Sequence, residues 1–237
     1  MSARRSRSPK PQLPSARELR HEHARDATRA RIAQAALQLF LDEGFERVSM
    51  RAIANAVGYS PGALYAYFRD KDEILYALHV EGFARLRGSI SEATSGRLTP
   101  GERLYRLGEL YLRFAFENPR LYELMFITKR LGDRIRMDEK WRVGLDNYDR
   151  VRSTVRECMD AGVLPRGDVE AATFAYWGIA HGIATAVIRG RTHSLIPDED
   201  LPRVVRDAYR FALGALLPTH ARTPLRPRNA ARRTRRS

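Results

Sequence analysis

Residues 58–62 have the order Gly-Tyr-Ser-Pro-Gly, which matches the G-x-S-x-G pattern around the nucleophilic serine of many hydrolases. In that chemistry the hydroxyl of Ser60 would attack a carbonyl carbon from a sharp turn that follows a buried strand. The residues before this turn, 51–57, are instead rich in alanine and have the spacing of a helix. Pro61 would also disturb the backbone amide that an oxyanion hole needs next to the nucleophile. We therefore expect no enzyme, and a serine hydrolase built on Ser60 stays as an alternative.

The same residues suit a tight turn between two short helices. Apolar residues recur at helical spacing on both sides of the turn, so the two helices can share a small core. Gly58 stands where a positive φ is favoured, Ser60 can cap the next helix, and Pro61 fits its first position. This order predicts a helix-turn-helix whose second helix opens with small groups, so that its backbone can approach DNA bases. A preceding helix is expected to start at Thr28 and to end at Gly44.

Residues 28–78 resemble the DNA-binding domain of the TetR family of one-component transcriptional repressors. The segment GFERVSMRAIANAVGYSPGALYAYFRDKDEIL has the family's order of helix two, glycine turn, short recognition helix, Tyr-x-Tyr-Phe ending and Lys-Asp-Glu start of helix four. The resemblance implies that the protein binds double-stranded operator DNA. The residues implied to hold the DNA backbone or base edges are Ser49, Arg51, Tyr65, Tyr67 and Lys71, and those implied to face the bases are Ser60, Pro61, Gly62 and Ala63. The recognition helix has no Arg, Asn or Gln, so we expect readout by van der Waals contact, thymine methyl groups, Arg51 or DNA shape.

The formal net charge of +14 is concentrated at the two ends of the chain. Residues 1–31 carry +6 and residues 218–237 carry +7, which leaves the middle near neutral. Both ends are rich in Arg, Pro and Ser and poor in apolar residues, so we expect disordered basic tails over residues 1–25 and 219–237. Such tails either attract DNA phosphates without specificity or serve only solubility.

Other classes of site have little support in the sequence. The first 31 residues contain no apolar run of the length that a secretory signal needs. Cys158 is the only cysteine, and His21 and His23 have no matching cluster of acids or thiols, so we expect no disulfide and no metal site. No glycine-rich nucleotide-binding pattern occurs. These features favour a cytoplasmic protein without a cofactor.

The length leaves room for a second helical body after the DNA-binding unit. We place the DNA-binding domain at residues 26–72 and a regulatory and dimerisation domain at residues 73–218, where breaker residues separate six helices. Such a body can part around a small molecule, and its aromatic stripes predict an apolar or aromatic ligand. The candidate ligand-binding residues are Tyr111, Phe114, Phe126, Tyr148, Trp177 and His181. An ordinary core role competes with ligand contact for each of them, above all for His181.

The segment 168–190 contains 18 consecutive residues without a formal charge, from Ala171 to Ile188. We expect no membrane span, because 18 helical residues reach only about 27 Å and several are polar. A smooth face of small residues predicts close contact with a second subunit, and it comprises Ala175, Gly178, Gly182 and Ala186. This segment and residues 117–126 also resemble the Trp-His-Gly-type regulatory domain of some TetR-like repressors, although Trp177 is separated from His181 here. The resemblance implies that this helix and the last one, 201–217, pair with their copies in a four-helix dimer interface.

Together these observations predict an all-α, homodimeric, ligand-responsive transcriptional regulator. We expect it to be a repressor that binds a palindromic operator and is released by a small molecule. A helical interaction protein without DNA binding is the competing class, besides the hydrolase built on Ser60.

Overall fold

The structure is a computed structural model that describes residues 15–94, 97–128 and 144–216. Within these ranges it contains helices and turns but no strand, which confirms the all-α prediction. The helices are α1 (Ala16–Asp42), α2 (Met50–Ala56), α3 (Pro61–Tyr65), α4 (Lys71–Thr94), α5 (Pro100–Glu117), α6 (Pro119–Phe126), α7 (Leu145–Asp160), α8 (Val169–Ile188) and α9 (Leu201–Leu216). The chain divides into two compact units, whose boundary in sequence falls between His79 and Val80 within α4.

The N-terminal unit is built from α1, α2, α3 and the start of α4. Each helix contributes an apolar face, and these faces form one core. The largest fully buried members of this core are Ile32, Ile53, Leu64, Phe68, Ile74, Leu75 and Leu78.

The start of α1 differs from the sequence prediction. The helix begins at Ala16, so the expected disordered tail over residues 1–25 is wrong for the part from Ala16 onward. Ser15 and Glu18 form a capping box, in which the Ser15 hydroxyl accepts from the Glu18 amide at 3.3 Å. Thr28 is no cap, because it lies inside α1 and its hydroxyl donates to the Ala24 carbonyl at 3.0 Å. The rest of that tail, and the tail over 219–237, lie outside the described residues.

The C-terminal unit is organised around α5. This helix packs against α6, α7 and α8, and α8 in turn packs against α9. Helix α5 starts with a capping box of Thr99 and Glu102, and the Asp168 side chain caps α8 by accepting from the Ala171 amide at 2.7 Å. Among the described residues, α8 is long and apolar enough to cross a membrane by length and composition. One side of α8 is nevertheless buried within the unit, at Thr173, Tyr176, Ala180 and Ala184.

Candidate DNA-binding surface and apolar cavity

The turn between α2 and α3 has the geometry that the sequence predicted. Gly58 has a φ of +72°, which ends α2, and the Tyr59 amide donates to the Ala54 carbonyl at 2.9 Å. The Ser60 hydroxyl accepts from the Ala63 amide at 3.2 Å and so caps α3, with Pro61 at the first helical position. Ser60 therefore lies between two helices and has none of the strand-to-helix geometry of a hydrolase nucleophile.

One face of α3 packs on the core of the N-terminal unit, and the opposite face is exposed. Leu64 is fully buried, and it anchors α3 on the core of the N-terminal unit. The predicted base-facing residues are all exposed, and they are Ser60, Pro61, Gly62 and Ala63. A Cβ built on Gly62 would meet no atom within 4 Å, so the backbone at this position is open to an approaching surface.

The predicted DNA-backbone contacts are distributed around α3. Ser49 is exposed and caps α2 by accepting from the Ala52 amide at 3.1 Å, and Arg51 on the first turn of α2 is exposed. Tyr65 is 55% exposed, whereas Tyr67 is half-buried with its ring centroid 6.1 Å from that of Tyr59. The helix α3 ends at Tyr65, so Tyr67 lies in the turn that follows it. Their DNA contacts stay predictions.

Lys71 is engaged inside the unit. Its ammonium donates to the carbonyls of Phe45, Glu46 and Val48 at 2.8, 3.2 and 3.2 Å, and it lies 4.6 Å from the centre of the Phe45 ring. An ammonium has three donors, and all three are used by these carbonyls. Lys71 therefore holds the turn between α1 and α2, a role that the sequence pattern did not indicate, and a phosphate contact would have to compete with these bonds.

Arg29 is a second cation that the fold uses. One guanidinium nitrogen donates to the Tyr67 carbonyl, the other is 3.1 Å from the Glu73 carboxylate, and the group lies 4.0 Å from the centre of the Phe68 ring. Arg29 thus ties α1 to the end of α3 and the start of α4.

The C-terminal unit contains an apolar cavity of about 300 Å³, which is partly open and includes the exposed Phe174 in its wall. Four of the six predicted ligand-binding residues line it, and they are Tyr111, Phe126, Tyr148 and Trp177. The described residues of the wall include no Arg, Lys, His, Asp or Glu. Sequence reasoning missed Asn147, which is 7% exposed and whose amide nitrogen donates to the Phe83 carbonyl at 3.5 Å. Asn147 adjoins the candidate Tyr148 in an amphipathic helix, and this position could have indicated from the sequence that it lies near the cavity.

The other two predicted ligand-binding residues are not part of this wall. Phe114 is 3% exposed and belongs to the core. His181 stands behind the wall, where its Nδ1 is 2.8 Å from the Tyr122 hydroxyl and 3.3 Å from the Tyr111 hydroxyl. Its ring stacks on Trp177 with centroids 4.7 Å apart, and burial lowers its pKa. These hydrogen bonds match the role that competed with ligand contact in the sequence, and contact of the half-buried His181 with a ligand stays a prediction.

Helix α8 presents its small residues outward. Ala175 and Gly182 are exposed, and Gly178 and Ala186 are half-buried. A Cβ built on Gly178 or Gly182 would meet no atom within 4 Å, so nothing in the described part of the chain covers this face. Two large apolar side chains are also exposed on α8 and α9, with Phe174 at 63% and Phe211 at 81%.

A pair of buried tyrosines was not singled out from the sequence. Tyr209 donates to the Tyr176 hydroxyl at 3.1 Å, Tyr176 donates to the Leu104 carbonyl, and burial raises the pKa of both phenols. A Cβ on Gly108 of α5 would overlap the Tyr209 hydroxyl. Gly108 is therefore the position where α5 makes room for the two rings.

Comparison with known proteins places both units in one family. Residues 32–78 match the family model of bacterial regulatory proteins of the tetR family, and residues 104–225 match that of the tetracyclin repressor-like C-terminal domain. The chain is 29% identical over 153 residues to the HTH-type transcriptional regulator AcrR of Shigella flexneri, covering 58% of this chain and 67% of that protein. It is 26% identical over 124 residues to the HTH-type transcriptional repressor AcnR of Corynebacterium efficiens, covering 52% and 59%.

Solved structures of similar fold cover both units. The TetR family transcriptional regulator PfmR from Thermus thermophilus is 26% identical with a TM-score of 0.61, over 78% of this chain and 97% of that one. The fatty acid degradation regulator FadR from Bacillus halodurans is 20% identical with a TM-score of 0.63, over 79% and 95%, and at this identity the likeness concerns the fold alone.

Proposed function

This chain belongs to the TetR family of bacterial transcriptional regulators, and on that premise we propose that it is a homodimeric repressor released from a palindromic operator by a small molecule. The observation that carries the proposal is helix α3, which is anchored by the buried Leu64 and turns an exposed edge of small residues outward. In helix-turn-helix proteins the second helix enters the major groove with such an edge. The relative AcnR is named a repressor, which supports repression over activation. Its place of action would be the cytoplasm.

The residues of α3 limit how the operator can be read. No Arg, Asn or Gln occurs from Ser60 to Tyr65, so bidentate base contacts are not available from this helix. Short side chains permit close van der Waals contact with thymine methyl groups, and Arg51 supplies a long donor from the neighbouring α2. We expect the rest of the preference to come from DNA shape.

The open face of α8 supports a homodimer. Gly178 and Gly182 let a second helix approach closely, and the exposed Phe211 on α9 adds apolar surface to bury. A two-fold dimer would present two copies of α3 to half-sites about 34 Å apart, or a multiple of that distance. The effector needs only to bind better to the conformation in which this spacing is wrong.

Selection of duplexes from a random library with the full-length protein tests the proposal, because the operator sequence emerges from the selection itself. We expect a palindromic sequence to be recovered and Gly62→Leu to lose at least about tenfold in affinity for it, or about 1.4 kcal/mol. Gly62 has open space around its Cβ, so the added side chain should block the groove without disturbing the fold. The matched control is Gly88→Leu, which adds the same side chain to an open, exposed position of α4.

Failure to recover any sequence with a folded protein would favour the competing class, a helical interaction protein without DNA binding. An equal loss of affinity in both leucine variants would show that the effect does not arise at α3.

A further inference from the structure

Among the described residues of the cavity wall, Asn147 has a polar atom without a hydrogen-bond partner. Asn147 is 7% exposed, and its amide nitrogen donates to the Phe83 carbonyl at 3.5 Å. Its amide oxygen Oδ1 is buried and has no hydrogen-bond partner among the described residues. The contact of the nitrogen with a carbonyl fixes the orientation of the amide, since the flipped amide would place two acceptors face to face. A buried acceptor without a donor costs about 1–3 kcal/mol, so Oδ1 is a position where a ligand donor would be stabilised.

The tyrosine hydroxyls of the wall already have partners in the protein. The Tyr111 hydroxyl is 3.1 Å from that of Tyr122, which in turn contacts His181. Tyr176 donates to the Leu104 carbonyl, and Tyr148 donates to the Glu170 carboxylate at 3.3 Å. Asn147 Oδ1 differs from these phenol oxygens, because each of them already has a hydrogen-bond partner and Oδ1 has none among the described residues.

The charge of the wall restricts the ligand further. Its described residues carry no basic or acidic group, so a carboxylate or an ammonium would lose its hydration without gaining a counter-charge. The volume of about 300 Å³ is at the lower end of small-molecule sites and equals the liquid volume of about ten water molecules. Aromatic rings line it, and Phe83 meets Phe126 edge to face with centroids 5.6 Å apart.

We propose that the cavity takes a small neutral, largely apolar molecule with one hydroxyl or N–H group, and that this group donates its hydrogen bond to Asn147 Oδ1. That this molecule is the effector rests on the proposed function, whereas its binding does not. Apolar contact supplies most of the affinity, and Asn147 selects donors over molecules of equal size that lack one.

The test uses isothermal titration of the full-length protein at pH 7 without DNA. The probe is 2-naphthol, compared with naphthalene and 2-methoxynaphthalene, which bracket it in size but have no donor, and with the 2-naphthoate anion. We expect 2-naphthol to bind at least about tenfold more tightly than either donor-free probe, a ratio that corresponds to about 1.4 kcal/mol. We expect no measurable binding of the anion.

Two variants locate the effect. Asn147→Leu should bind 2-naphthol and 2-methoxynaphthalene with similar affinity, whereas Asn55→Leu, which makes the same change at an exposed position of α2 outside the cavity, should keep the preference. Equal binding of the three neutral probes to the unchanged protein, tightest binding of the anion, or no binding of any probe would each overturn the proposal, whether or not Asn147→Leu folds. Binding of 2-naphthol without release of operator DNA would leave the ligand site standing and would count against the proposed function instead.

Discussion

The substitution Gly182→Leu should convert the protein to a folded monomer. Gly182 is exposed on α8, and a Cβ at this position would meet no atom within 4 Å. Within one chain the leucine therefore clashes with nothing, and replacing a helical glycine by leucine should stabilise α8 by about 0.5–1 kcal/mol. In a dimer built on Ala175, Gly178, Gly182 and Ala186, the same side chain would hold apart two helices that the small residues allow to touch.

The expected effect on DNA binding follows from the geometry of a two-fold dimer. When one half-site is bound, the second recognition helix faces its own half-site at an effective concentration of about 1 mM for a short connection. Separate monomers lose this advantage, so affinity for the whole palindrome should fall by about 100-fold to 10,000-fold. Affinity for an isolated half-site should change little, because α3 and its surroundings are untouched.

Sedimentation velocity at low micromolar concentration measures the assembly, and circular dichroism reports whether the helices persist. Gly88→Leu is the matched control, since Gly88 is an exposed helical glycine of α4 with no atom within 4 Å of a built Cβ. It should remain dimeric and bind the palindrome normally. A folded Gly182→Leu protein that stays a dimer would refute the reasoning and would place the interface on another surface.

Three further predictions concern the cations, the half-buried His181 and the basic ends. Lys71→Met should lower the free energy of unfolding of the N-terminal unit by about 1–3 kcal/mol in urea and leave the salt dependence of operator binding unchanged. Arg51→Met should leave the free energy of unfolding unchanged and lower the salt slope of operator binding by about one per half-site. Burial lowers the pKa of His181 in the folded protein, so as pH falls the imidazole binds a proton at a higher pH in the unfolded chain than in the folded one. The stability of the C-terminal unit should therefore decrease as pH falls below about 6.5. His181→Gln should lose less stability between pH 7 and pH 5, and an equal loss would contradict this assignment. Deleting residues 1–14 and 222–237 should lower affinity for scrambled duplexes and preserve operator preference in competition at two salt concentrations.

The features that sequence predicted well depend on neighbours along the chain. The positive φ of Gly58, the cap at Ser60 and the helix start at Pro61 all involve residues within a few positions. The early start of α1 was equally local, because Ser15 and Glu18 have capping-box spacing. It was missed because the composition of residues 16–27, rich in Arg and His, resembles that of a tail.

Long-range partners give two cations structural roles that the sequence pattern did not show. Lys71 bonds to carbonyls 23 to 26 residues earlier, and Arg29 contacts residues 38 and 44 positions later. A sequence pattern shows that a Lys or Arg is present, but it does not show whether folding uses its donors. Free and engaged cations therefore look alike in the sequence, although only the free ones are available to phosphate without competition.

Helix α8 presented a different difficulty, because apolar residues occupy most of its circumference. Besides the small face it carries an aromatic stripe of Phe174, Trp177 and His181, but the face that enters the core is a third one, at Tyr176, Ala180 and Ala184. Periodicity cannot choose among three apolar stripes on one helix. The same limit applies to Phe114, which shares a helical face with Tyr111 but lies in the core and outside the cavity wall.

Helix α8 both lines the proposed effector site and carries the face proposed for the dimer interface. Trp177 lines the cavity, and the next residue, Gly178, belongs to the open face. A ligand that displaces the part of α8 around Trp177 also displaces Gly178 on the same helix, because protein interiors are close-packed and transmit displacement. Binding linkage is reciprocal, so a ligand that changes the free energy of dimerisation must bind the dimer and the monomer with different affinities. If 2-naphthol bound wild type and a monomeric Gly182→Leu protein equally, α8 would not couple the two sites, and release of DNA would need another path.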